Sequence, residues 1–156
     1  MDEKIVVPLD GSKVGEAALP YVEEVVSKMS PEVKVEVVLV QVLAPITPTS
    51  LAGESAASIP YTLQQSEQRN EQAAAYLDKV GEVLRSKGAT VTTKVAVGEA
   101  PQEIVKVAEE INANLIAMST HGRSGFSRWA FGSVTDRVLR MEGRIPITMV
   151  RAPKPK

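Results

Sequence analysis

The sequence predicts an α/β fold, a parallel sheet with helices on both faces, and three observations support this class. Strand-like segments alternate with segments of helical periodicity along the whole chain. Two strand-like runs, residues 37–40 and 115–118, contain no charged residue, which is typical of strands buried on both faces. The chain has 156 residues, the size of one domain, so a single core accounts for the whole sequence.

The first half of the chain predicts two strands and two helices. Residues 5–9 form a short β-rich run that ends in turn residues, and residues 13–29 follow with apolar positions at helical spacing. Pro20 lies inside that helical pattern, so we expect a late helix start or a kink. Residues 33–43 have the β-branched, apolar composition of a buried strand, and residues 63–87 carry the single apolar stripe of a long helix.

The second half of the chain predicts three strands and two helices. Residues 90–97 alternate in a β-rich composition, and residues 100–111 return to helical spacing. A charge-free strand follows at 115–118. The series ends with a helix at about 133–142 and a last strand at 145–150, and we expect right-handed crossovers between the parallel strands.

Two segments lie outside this regular pattern. Residues 44–60 contain three prolines, five Ser or Thr and a single charged residue, which predicts a long loop. Loops of that length are often lids or binding loops, but a mobile surface insertion fits the composition equally well. We expect one domain over residues 1–152 and a frayed tail at 153–156.

Composition excludes several classes of function. Apolar residues make up 44% and charged residues 24%, as in globular proteins. The 18 basic and 19 acidic residues give a net charge of −1, which argues against a surface that coats nucleic acid. The absence of cysteine removes thiol chemistry and cysteine metal sites, and a single histidine excludes a multi-histidine site. We find no secretory signal and no apolar run long enough for a membrane, and therefore expect a cytoplasmic protein without nucleic-acid or membrane partners.

A glycine-rich segment, residues 119–133, is the candidate ligand site. In open parallel sheets, ligands bind beyond the carboxyl ends of the strands, and this segment follows a predicted strand. Its glycines let backbone amides approach a ligand closely, and Ser133 begins a sequence that resembles a capping box. A helix N-terminus suits phosphate, and the hydroxyls of Ser133 and Thr135 could add donors. The alternative stays open that the glycines only turn the chain and that Ser133 only caps the helix.

The other chemistry-bearing residues also allow two interpretations. Asp10 follows the first strand and could bind a ligand, form an Asx turn before Gly11, or do both. Arg123 could reach a phosphate or lie in solvent. Ser119, His121 and Asp10 could complete a hydrolase triad, but no nucleophile-elbow sequence surrounds the serine. The sequence contains neither a GxxxxGK[ST] loop nor a GxGxxG after the first strand, so neither a P-loop nor a Rossmann dinucleotide site is expected.

The glycine-rich segment resembles the nucleotide motif of the universal stress protein family, and the resemblance extends over nearly the whole chain. That motif reads Gly-x-x-Gly, nine residues, then Gly-Ser or Gly-Thr. Here Gly122 takes the second glycine position, Gly132-Ser133 closes the motif, and Ser119 stands in the first glycine position. The opening Val7-Pro-Leu-Asp10-Gly-Ser12 matches the family as well.

The resemblance implies a fold and a ligand. The fold would be an open, doubly wound, five-stranded parallel sheet of the flavodoxin-like or HUP type, with strand order 3-2-1-4-5. The protein would be an ATP-binding stress-response or regulatory module with slow or no ATP hydrolysis, and Mg²⁺ or Mn²⁺ would be bound through the phosphates. A nucleotide-free homodimeric scaffold is the alternative. The resemblance assigns the ligand contacts to Asp10, Val42, Met118, Ser119, Gly122, Gly132, Ser133 and Val134. Together with the strand end and the glycine-rich segment, the candidate binding residues are Pro8, Leu9, Asp10, Val42, Met118, Ser119, Gly122, Arg123, Gly125, Gly132, Ser133, Val134 and Thr135.

The last predicted strand suggests how two copies could associate. Ile145, Ile147 and Met149 alternate along it and would share one face. If this strand lies at an edge of the sheet, its free backbone groups invite pairing with a second chain. Members of the resembled family commonly dimerise in this way, so we predict a homodimer through the C-terminal edge strand.

Overall fold

Five parallel strands form one sheet in the order β3-β2-β1-β4-β5, which confirms the predicted fold class and strand order. The structure is a computed structural model, and it describes residues 2–45, 59–120, 133–141 and 143–152. The strands are β1 (Asp2–Pro8), β2 (Lys34–Leu43), β3 (Thr90–Val97), β4 (Leu115–Thr120) and β5 (Ile147–Arg151).

Four helices connect the strands, namely α1 (Ala18–Lys28), α2 (Ile59–Ser86), α3 (Ala100–Glu110) and α4 (Ser133–Arg140). A short 3-10 helix, Val14–Ala17, precedes α1, so the α-helical part begins late, as the proline predicted. Pro20 is the third residue of α1, where its missing N–H would have no partner within the α-helix, and its ring therefore costs no helical hydrogen bond.

Several element boundaries differ from the sequence prediction. Strand β5 begins at Ile147 rather than at residue 145, so Ile145 lies outside the strand in which it was predicted. Strand β1 begins at Asp2 because polar residues 2–4 pair with residues 34–36 of β2, and backbone pairing does not require an apolar side chain. Helix α2 begins at Ile59, so the predicted loop over 44–60 ends two residues earlier than expected. Most of that loop, residues 46–58, lies outside the described residues, as does the predicted tail at 153–156.

Apolar side chains cover both faces of the sheet. Along β1, Val6 points to the face covered by α3 and α4, and Val7 points to the face covered by α1 and α2. Along β2, Val38 and Leu39 divide between the two faces in the same way, and all four side chains are buried. This burial on both sides explains why the central strands contain continuous apolar runs rather than an alternating pattern.

The strand order reverses between β1 and β4. The chain moves outward from β1 to β2 and β3, then returns across the sheet to form β4 on the other side of β1. In a sheet of this topology, a crevice opens at the carboxyl edge between the two strands where the order reverses. Leu9 and Asp10, which follow β1, and Ser119, near the end of β4, border this crevice.

Candidate functional site

A cavity of about 350 Å³ occupies the crevice between the carboxyl ends of β1 and β4. Its volume lies within the range of small-molecule sites. Both the strand ends and the first turns of α3 and α4 contribute to its walls. The lining residues are Pro8, Leu9, Asp10, Gly15, Val40, Val42, Ala100, Ile104, Met118, Ser119, Ser133, Val134 and Thr135.

Nine of the thirteen binding residues proposed from the sequence line this cavity. They are Pro8, Leu9, Asp10, Val42, Met118, Ser119, Ser133, Val134 and Thr135. The other four, Gly122, Arg123, Gly125 and Gly132, lie outside the described residues, as does His121.

Four of the lining residues were not predicted from the sequence. Val40 lies two residues before Val42 and therefore points to the same face of β2, which the strand period could have indicated. Ala100 and Ile104 belong to the first turns of α3, which begins at the same edge of the sheet. Gly15 carries no sequence signal of its own, because its role depends on how closely a neighbouring side chain approaches it.

The carboxylate of Asp10 is held by the turn that follows it. Its Oδ1 accepts a hydrogen bond from the backbone N–H of Ser12 at 2.9 Å and another from the Ser12 hydroxyl. Asp10 therefore does form the Asx turn that its sequence position allowed, and Gly11 takes the left-handed conformation with φ +86°. Both of these bonds use Oδ1, and no described residue donates to Oδ2.

Ser119 connects the end of β4 to the start of the first helical segment. Its hydroxyl donates to the carbonyl of Gly15 at 2.8 Å and accepts from the N–H of Ala18, the first residue of α1, at 2.9 Å. Among the described non-glycine residues, only Asn112 has a positive φ, so Ser119 adopts an unstrained backbone in the position where the family motif has glycine.

Two helix N-termini border the cavity. Ala100 begins α3, Ser133 begins α4, and the exposed Ser133 lies in the first turn with its unpaired backbone N–H groups. Such groups, together with the positive end of the helix dipole, favour an anionic ligand. The buried Thr135 hydroxyl donates instead to the carbonyl of Ser119 at 3.2 Å, so its proton holds α4 against β4 rather than facing a ligand.

A partly buried tyrosine, Tyr76, packs on the face of the sheet covered by α1 and α2. The Tyr76 hydroxyl donates to Glu16 Oε2 at 3.0 Å and so ties α2 to the 3-10 helix. Burial raises the pKa of Tyr76 above its usual value, and the hydrogen bond and negative charge of Glu16 raise it further. Asp10 adds a smaller contribution in the same direction, which places its charge near this pair.

The described residues offer no protein cage for a metal ion. No group of three or more histidine, aspartate or glutamate side chains in these parts of the chain could hold one. The chemistry of the site fits a divalent cation only as a companion of a phosphorylated ligand, since Asp10 and the hydroxyls are the oxygen donors on the described walls. Among the helices described, none is long and apolar enough to cross a bilayer.

The hydrolase alternative finds no support in the geometry of Ser119. A nucleophilic serine hydroxyl must donate to a general base, whereas this hydroxyl donates to the backbone carbonyl of Gly15. The Oδ1 atom of Asp10 is likewise engaged, with the backbone N–H and the hydroxyl of Ser12.

The fold and the cavity together define a class of protein, an open, doubly wound α/β domain with a cavity at its topological switch point. The family model described as the universal stress protein family matches residues 1–151. The chain therefore belongs to the universal stress protein family.

Individual relatives agree with this assignment. The chain is 30% identical over 152 residues to universal stress protein MJ0531 of Methanocaldococcus jannaschii, covering 97% of this chain and 84% of that protein. The solved structure of MJ0577 from the same organism superposes with a TM-score of 0.80 at 25% identity, covering 98% of each chain. A universal stress protein family member from Arabidopsis thaliana, solved with AMP bound, has the same fold at a TM-score of 0.64 and 13% identity, covering 97% of this chain and 92% of that one.

Proposed function

We propose that this protein binds ATP in the cavity between β1 and β4 and acts as a nucleotide-dependent regulatory or stress-response module, with slow or no hydrolysis. The observation that carries the proposal is the cavity itself, which combines apolar walls, one anchored carboxylate and the N-terminus of α4. These are the three surfaces that a base, a ribose and a phosphate group require. The AMP bound by the plant relative supports the ligand class.

Each part of the nucleotide has a wall suited to it. Val40, Val42 and Ile104 give the cavity an apolar side for the base. Asp10 has a carboxylate oxygen to accept from the ribose hydroxyls. The phosphates would then extend towards Ser133 and the first turn of α4, together with Mg²⁺ or Mn²⁺ bound through their oxygens.

Calorimetric titration of ATP with Mg²⁺ into nucleotide-stripped protein tests the proposal. We expect micromolar ATP affinity, with weaker binding of AMP and GTP, because AMP lacks the outer phosphates and GTP presents a different base edge. Absence of heat and of any thermal stabilisation up to millimolar ATP would refute it. Single-turnover incubation with the bound ATP then distinguishes slow hydrolysis from none.

One observation favours a scaffold as the second candidate function. Strand β5 pairs with β4 alone within the described sheet, and its apolar residues Ile147, Met149 and Val150 are only partly buried. We propose that this edge pairs with a second copy in a cytoplasmic homodimer. If ATP does not bind, the dimer surface becomes the feature to which function is assigned.

A further inference from the structure

We propose that Ser119 is a positioning residue that holds Asp10 in place for the nucleoside part of the ligand. The inference rests on the proposed function, since it assigns a role in binding ATP. It concerns the residue by which this chain departs from the glycine motif of its family. A glycine at position 119 could not make either of the bonds described below.

The first step connects Ser119 to Gly15. The side-chain oxygen donates to the Gly15 carbonyl at 2.8 Å and accepts from the Ala18 N–H at 2.9 Å, so one hydroxyl fixes both ends of the short 3-10 segment. Ser119 is itself held by two neighbouring elements. It lies in β4 opposite Val150 of β5, and its carbonyl accepts from Thr135 of α4.

The second step connects Gly15 to Asp10. The Gly15 N–H donates to the Ser12 hydroxyl at 3.0 Å, and that hydroxyl donates in turn to Oδ1 of Asp10. A Cβ on residue 15 would overlap Oδ1 and would lie 3.1 Å from the Ser12 oxygen. The position of Gly15 therefore determines where the carboxylate can be.

Taken together, these bonds form a continuous network from β4 through Gly15 and Ser12 to Asp10, and it ends on the cavity wall. The N–H and the carbonyl of Gly15 belong to different peptide groups, so the two hydrogen bonds do not polarise each other through one peptide. The network therefore acts by fixing the position of the atoms and not by changing the charge on Asp10. We infer that the serine limits the carboxylate to one geometry, which lowers the ordering cost when a ribose binds.

Ser119→Ala tests this inference. Loss of the hydroxyl leaves the Gly15 carbonyl and the Ala18 N–H without this partner, and we expect ATP and adenosine to bind about threefold to tenfold more weakly, the range of one neutral hydrogen bond. Inorganic tripolyphosphate, which has no nucleoside for Asp10 to contact, should bind as it does to wild type. Ser119→Gly should behave as the alanine variant does. Ser27→Ala is the matched control, because its exposed hydroxyl bonds only within α1, to the Glu23 carbonyl.

A double-mutant cycle with Asp10→Ala separates positioning from general destabilisation. If the serine acts through the aspartate, Ser119→Ala should change ATP affinity less than twofold once the carboxylate is gone. An equal loss in both backgrounds, an equal loss for tripolyphosphate, or tighter ATP binding by Ser119→Gly would overturn the proposal.

Amide hydrogen exchange in the ligand-free protein tests the network without any nucleotide. Ser119→Ala should speed exchange at Ala18, which loses its acceptor, and also at Gly15 and Ser12, which lie further along the network. Faster exchange at Ala18 alone would refute positioning even if ATP binds. Failure of wild type to bind ATP would refute the proposed function and the binding role of Ser119 together, while the exchange data would still show whether the serine holds the Asp10 turn.

Discussion

Gly15 has no side chain, and the Asp10 carboxylate occupies the space where a Cβ on residue 15 would lie. The methyl group of alanine at this position would overlap Asp10 Oδ1, so Gly15→Ala must displace the carboxylate or the 3-10 segment. We predict at least a tenfold loss of ATP affinity, measured by calorimetry, because either displacement removes the ribose contact.

Gly143→Ala is the control for this substitution, since its new methyl group would meet no atom within 4 Å. Unchanged ATP affinity in Gly15→Ala would show that the position of Asp10 does not matter for binding.

Tyr76 gives the protein a pH-dependent contribution to stability. The folded state raises the pKa of this phenol above its ordinary value of 10.0, so the contribution is complete below that pH. It is lost as the pH rises further, because the unfolded chain then ionises the tyrosine while the folded chain holds it neutral. Tyr76→Phe should lower the free energy of unfolding by about 1–2 kcal/mol at pH 7, since Glu16 loses its donor.

The same variant should lose less stability than wild type between pH 9 and pH 11. Urea denaturation at several pH values measures both effects, and Tyr21→Phe serves as the control tyrosine. Parallel declines of wild type and Tyr76→Phe above pH 10 would contradict the assignment.

At the scale of elements, the two edge strands of the sheet differ in what surrounds them. Strand β3 lies at one edge, where Val97 is 52% exposed and a lysine, Lys94, lies within the strand. Strand β5 lies at the other edge with several apolar residues that are each partly buried, namely Ile147, Met149 and Val150. A lysine within an edge strand opposes pairing with a second copy, so β5 is the edge that favours association.

Met149→Lys should therefore convert a homodimer to a monomer, because a charged side chain at this edge opposes pairing with a second copy. Light scattering at micromolar concentration measures the change in mass. Val97→Lys makes the same substitution at the opposite edge and should leave the mass unchanged. A monomeric wild type, or a dimer that tolerates Met149→Lys, would reject dimerisation through β5.

For the whole molecule, we expect ligand binding to stabilise the fold through the cavity. Its walls come from β1, β2, β4 and the first turns of α3 and α4, so a nucleotide bound there would contact elements from both halves of the chain. ATP at one hundred times its Kd should add about 2.7 kcal/mol to the free energy of unfolding. For a domain of this size that corresponds to a rise in Tm of about 5–10 °C.

Thermal denaturation with ATP, GTP and no nucleotide measures this rise. GTP at the same concentration should give a smaller rise in Tm than ATP does. Equal shifts with both nucleotides would show that the base is not recognised, and no shift with either would contradict binding in the cavity.

Local patterns were sufficient for most of the fold. Charge-free runs at 37–40 and 115–118 identified buried parallel strands, and Pro20 indicated the late start of α1, because both signals depend only on neighbouring residues. Boundaries were less accurate at Asp2, where strand pairing extends beyond the apolar residues, and at Ile59, where α2 begins before its apolar stripe. The strand order came from the family resemblance rather than from any local pattern, because adjacency in a sheet is a relation between distant segments.

By itself, the sequence determined the fold class, the family motif and nine residues that prove to surround one cavity. Only the tertiary structure decided what those residues do there. In that structure the Ser119 hydroxyl hydrogen-bonds to Gly15 and Ala18, and the Thr135 hydroxyl hydrogen-bonds to the Ser119 carbonyl. Gly15 lies so close to Asp10 that a side chain would not fit between them. The physical reason is that hydrogen bonds and close contacts between residues up to about one hundred positions apart depend on the packing of β1 against β4, which no local sequence pattern encodes.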